Sequence, residues 1–205
     1  MIFTSSIKGG RSRLLLGLLS GLCLTSMLVP GAAQADDFLF KAKPIHPACV
    51  HALVTNLEGD PLPVPLVVSL AGCMASPRAE IPTRYEGEAI EIQDETLLGG
   101  ETFGYRVLSQ LTDELFIVGV RRTSTDGTHH VSLAVIDIVE RPMFSLGAVM
   151  QVPALELMAL VPLPKSQTMN FRRSGNLVQI KVGTGPNAMD RTVDLTPLVK
   201  ASKKR

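Results

Sequence analysis

The chain has 205 residues, 20 Lys and Arg against 19 Asp and Glu, 45% hydrophobic residues, 4% aromatic residues and no Trp. This balance lacks the basic excess on which nucleic-acid binding draws, and the shortage of aromatic rings argues against a module that stacks sugars. The length suits a single domain with a sizeable core.

Met1–Ala35 reads as a secretory signal. Lys8, Arg11 and Arg13 make a basic start, Leu14–Leu28 is almost wholly apolar, and Ala33-Gln34-Ala35 sets small residues where a signal peptidase reads. Cleavage is expected between Ala35 and Asp36. The apolar run has about 15 residues, short of the roughly 20 needed to span a bilayer. No later stretch is long and apolar enough to span, so no transmembrane segment is expected after cleavage. Removing the signal leaves 17 basic residues against 19 acidic ones in an exported, periplasmic or secreted, bacterial protein.

Two cysteines survive that cleavage, Cys49 and Cys73. In an oxidising compartment an even pair reads as a disulfide. The apolar stretches His46–Asn56 and Pro65–Cys73 flank a turn-rich segment centred on Pro61, and folding back about that centre brings the two cysteines together. Whether residues 45–56 are helix or strand stays open, because Pro47 suits a first helical position while Val50, Val54 and Thr55 favour a strand.

The alternative for this region is a zinc or copper site built from His46, His51, His129 and His130, beside the cysteines. The spacing matches neither a paired Cys-x-x-Cys nor a helical His-x-x-x-His, and adjacent His129 and His130 on a strand point to opposite faces.

Glu80–Glu101 carries seven acidic residues against Arg84 alone. A calcium loop is excluded by spacing, and the segment reads as a solvated acidic edge with a strand around Ile90 and Ile92. Thr102–Gln110 is the next strand. A long hairpin follows, with strands Leu115–Val120 and Val131–Val139 joined through Asp126-Gly127. A two-residue turn there sets Val120 opposite Leu133, Val118 opposite Val135 and Phe116 opposite Asp137. Both faces of this hairpin are apolar, so it is expected at the centre of a sheet covered on both sides.

Arg141-Pro142 is expected to interrupt the ladder, and Leu146–Val152 and Leu155–Val161 to form two strands parted by Pro153. A last hairpin turns at Ser174-Gly175-Asn176, a short strand spans Arg191–Leu195, and a basic disordered tail closes the chain over residues 201–205. From Lys165 onward nine basic residues face only Asp190 and Asp194. That half either meets an anionic partner or, as we favour, balances the acidic stretch within the fold.

No nucleophile elbow, P-loop or His-Glu-x-x-His motif is present, so no catalytic residue and no cofactor is implied. The expected fold is mostly β, an antiparallel sandwich or partly open barrel built on a β-meander, with at most one or two short helices. The expected function is that of an exported, non-catalytic binding or envelope-interaction protein whose partner is an envelope protein or a small ligand. A metal-binding protein or metal-assisted hydrolase is the alternative.

Overall fold

A computed structural model describes residues 38–54, 66–93, 99–145, 147–163, 169–183 and 189–204. The expected signal segment, its Ala35–Asp36 junction and the turn around Pro61 lie outside the described residues.

Alternating apolar residues over the middle of the chain build a seven-stranded antiparallel sheet. Its strands are β3 (Val67–Ser69), β4 (Arg84–Glu86), β5 (Ala89–Gln93), β6 (Thr102–Gln110), β7 (Leu115–Thr123), β8 (His129–Ser145) and β9 (Ala148–Pro162). The spatial order is β3-β9-β8-β7-β6-β5-β4, so six consecutive strands form one meander and β3 returns to the edge beside β9. A two-stranded sheet, β1 (Leu39–Phe40) with β2 (Lys43–Pro44), precedes it, and β10 (Met169–Ser174), β11 (Leu177–Val182) and β12 (Met189–Asp194) form a third. Among the described residues no barrel closes, and the arrangement is that of a β-sandwich.

Each face of the large sheet has its own core. On the first, Phe103, Tyr105, Phe116, Val118, Ala134, Ile136 and Leu155 pack against Phe38, Ile45 and the buried side of α1 (Pro47–Val54). The Phe38 ring meets Tyr105 and Phe116 edge-on at 5.6 and 5.1 Å, and the Tyr105 hydroxyl donates to the carbonyl of Ile45. Burial pushes the Tyr105 phenol well above its usual range. On the second face Leu115, Ile117, Leu133 and Val135 meet Val178, Ile180 and Val182 of β11 and Val199 of α3 (Thr196–Ser202). The β7–β8 hairpin is therefore covered on both sides, as its two apolar faces require.

Its register differs from the expected one by a single residue. Ser124 N–H donates to Thr128 O, Gly127 N–H donates to Ser124 O, and Gly127 has φ +79°. This is a three-residue loop, Thr125–Gly127, with glycine in the left-handed position, in place of a two-residue turn. The ladder consequently sets Phe116 opposite Ile136, Val118 opposite Ala134 and Val120 opposite Ser132. Asp137 stands opposite Leu115, and so leaves the aromatic core.

Within the region left open, Pro47–Val54 form the helix α1, with Pro47 in its first turn, and residues 55 and 56 lie outside the described residues. Among the described residues there are three short α-helices, α2 (Leu70–Met74) being the third, where one or two were expected. Ala201 and Ser202 belong to α3 and are not a disordered tail. The two strands expected on either side of Pro153 are one. Arg141-Pro142 does not break β8 either: Pro142 pairs with Gln151 and Pro153 with Glu140. By then β8 has left β7 and β9 has left β3, so each proline sits on a strand with a single neighbour, the edge setting in which it is tolerated. At Met158 β9 carries a bulge, so Leu155 and Leu157 face the first core while Met158 and Ala159 face the second.

Candidate functional site

The residues singled out from sequence are distributed through the structural framework. The sulfurs of Cys49 and Cys73 stand at disulfide distance, 2.08 Å, and tie α1 to α2. His46 is 8% exposed at the start of α1: its Nδ1 accepts from the Ala48 N–H at 3.2 Å and its Nε2 lies 2.9 Å from the Ile81 carbonyl. Both ring nitrogens are thus engaged, one of them by an orphan donor of the helix end. The His51 ring packs edge-on against Phe103 at 4.8 Å. Burial, then the charges of Arg78 and Arg122, hold its pKa below the ordinary imidazole value, with Glu101 opposing them. His129 sits across from Thr123, 3.0 Å from its hydroxyl, and His130 pairs with Arg122. Among the described residues no group of three or more His, Cys, Asp or Glu is placed to hold a metal ion.

The acidic stretch is a solvated edge in part: β4 is the outermost strand of the sheet and Glu80, Glu86 and Glu88 are exposed, whereas Glu91 is drawn inside. Register aligns Arg84, Glu91, Gly104 and Arg121 in one row across β4, β5, β6 and β7. Glu91, only 1% exposed, accepts from Arg84 at 3.3 Å and from Arg121. Gly104 lets this happen: a Cβ there would stand 2.5 Å from Glu91 Cγ, so only glycine leaves room for the carboxylate to cross β6. Three further acids pair nearby. Glu86 bonds Arg121, Glu88 lies 3.7 Å from Arg106, and Glu101 lies 3.4 Å from Arg122. Arg121 holds the Glu86 carboxyl below the usual carboxylate range. All these arginines belong to β4, β6 and β7, so Glu86, Glu88, Glu91 and Glu101 find their partners on adjacent strands. A carboxylate held between two guanidinium groups acts as a cross-tie between strands.

Apolar surface is concentrated elsewhere. Beyond Val139, β8 and β9 run on together, with no third strand beside them among the described residues, from Glu140 opposite Pro153 to Ser145 opposite Ala148. At roughly 3.4 Å per residue this two-stranded arm reaches about 20 Å past its neighbours. Pro142–Val152 contains no charged residue. Phe144 is 77% exposed, Val149 69% and Met150 48%. Phe144 and Val149 are opposite each other on one side of the ribbon, and Met143 and Met150 on the other. Gly147, with φ +83°, turns the tip.

The root of the arm is anchored by charge. Asp137 and Glu156 are opposite one another and fully buried, and Arg141, at the start of the arm, bonds Glu156 through Nε at 2.9 Å and through its terminal nitrogen. An isolated hairpin is marginal in water, so this clamp and the proline-stiffened strands help to hold the arm in shape.

Comparison with known proteins adds no name. No family model, curated protein or solved structure matches the chain. The candidate site therefore rests on geometry alone, and the geometry singles out the arm. Sequence reading placed an interruption at Arg141-Pro142 and an ordinary strand over Leu146–Val152. The available signal was the charge-free run Pro142–Val152 bounded by Arg141 and Pro153, since a run flanked by prolines seldom lies inside a sheet.

Proposed function

We propose that this is an exported, non-catalytic binding protein of the bacterial envelope, and that the β8–β9 arm is its binding element. The observation that carries the reading is the arm itself. Soluble folds seldom expose large apolar side chains side by side, and where they do the patch marks an interaction site. Here Phe144, Val149 and Met150 lie together on a ribbon that leaves the domain behind. A cysteine pair at disulfide distance is compatible with an oxidising, exported location, in keeping with the signal-like pattern of Met1–Ala35.

The test is a double substitution, Phe144→Asp with Val149→Asp. Both side chains are exposed, so the urea midpoint should stay within the range of ordinary surface changes, about 0.5 kcal/mol per site. Association of the protein with the envelope fraction of its own cells should fall sharply. Unchanged association in a variant with a normal unfolding midpoint would remove the arm from the function.

A further inference from the structure

The structure supports a more specific statement about what the arm meets, which rests on the reading of the arm as the binding element. We infer that its partner is a lipid surface, into which the tip inserts to shallow depth. Three features of the ribbon select this occupant.

The first is that the tip is apolar on both of its sides. Phe144 and Val149 face one way, Met150 the other, and all three are exposed. A protein docking against a strand pair covers one side, whereas acyl chains surround whatever enters them.

The second is charge. The last charged positions on β8 are Glu140 and Arg141, and none follows until Glu156 on β9, so charge stops at a level and the whole tip beyond it is neutral. This pattern matches a neutral medium that begins where the charges end.

The third is size. Three large exposed side chains fall well short of the roughly 20–30 residues a side that a stable protein interface uses. From Met143 opposite Met150 to Ser145 opposite Ala148 the apolar tip spans three register pairs, or about 10 Å. That is close to the roughly 5–10 Å to which interfacial elements enter a bilayer. Deeper insertion is opposed by the ribbon's outer edges, whose backbone groups hydrocarbon cannot satisfy.

The chain contains no tryptophan, which makes a single-site reporter possible. Phe144→Trp places one indole at the tip, and Tyr85→Trp, at a 66% exposed position of β4 on the opposite edge of the sheet, places one away from it. Each full-length variant is mixed with vesicles of phosphatidylethanolamine and phosphatidylglycerol, with or without brominated acyl chains. The expected result is a blue shift and bromine quenching for the Phe144→Trp protein, abolished when Val149→Asp is added, and neither response for the Tyr85→Trp protein. Equal responses from both reporters would overturn tip insertion, since the whole domain would then be adsorbing or unfolding on the bilayer.

No response from the Phe144→Trp protein would overturn the lipid assignment. The envelope fractionation of the Phe144→Asp, Val149→Asp variant then separates the two readings. Lost association would leave the arm as a protein-binding element, and retained association would end both readings.

Discussion

The upper and lower parts of β8 and β9 make an instructive pair. Above Ile138 the strands carry Leu133, Ala134, Val135 and Ile136, all fully buried between two layers. Below it the same two strands carry Met143, Phe144, Val149 and Met150, of which the last three stand in solvent. Hydrogen-bonded pairing continues along both parts, and both are rich in apolar side chains. What differs is the company: α1 on one face and β10–β12 on the other stop short of the arm, so the same kind of sequence is core in one place and surface in the other. Apolarity in a strand records that something covers it; it does not say whether the cover belongs to the same chain.

That contrast can be broken by truncating one phenylalanine in each part. Phe116→Ala empties a site packed against Phe38 and should lower stability by about 3–5 kcal/mol, while Phe144→Ala should change it by less than about 0.5 kcal/mol. Urea unfolding of the two variants measures the difference, and similar losses would mean that the arm is packed in solution. The cover over the first face can be loosened next. Cys49→Ser with Cys73→Ser, which opens a closure over a sequence separation of 24, should cost about 3 kcal/mol, and thiol titration of the untreated protein should find the pair protected until reduced.

A smaller effect is expected from Gly104→Ala, where the new methyl must displace Glu91 from its arginines. A loss of about 1–3 kcal/mol follows from disturbing a buried charge, and a neutral result would show that the row of ion pairs is dispensable. The smallest is a pH dependence. Because the folded pKa of His51 lies below the unfolded value near 6.5, its contribution is present above that value and fades as the pH falls below it. His51→Gln should flatten the slope of the stability profile in that acid window, whatever constant offset the loss of the ring packing on Phe103 adds, and an unaltered slope would assign the acid sensitivity to another group.

Much of the central sheet was legible in the chain. Alternation over Leu115–Val139 and the Asp126-Gly127 dipeptide placed the hairpin and its burial on both faces, and the even pair Cys49 and Cys73, read as a disulfide, stands at disulfide distance. Register was not, because Gly127 serves equally a two-residue turn and the three-residue loop that is present, and the choice moved Asp137 from one face to the other. His46, His51, His129 and His130 were legible as residue types only. Whether an imidazole caps a helix, packs on a ring or meets an ion depends on what the fold brings to within 3 Å.

The sequence by itself determined a mostly-β chain, its meander order and the buried hairpin at its centre, since period-two alternation and turn chemistry are local properties. Tertiary structure alone decided that Pro142 and Pro153 lie within paired strands, that Gly104 clears a path for Glu91, and that the charge-free run Pro142–Val152 stands outside the core. Each of these depends on how many neighbours a strand has at a given level. That number is set by where other segments end, and no local pattern encodes it.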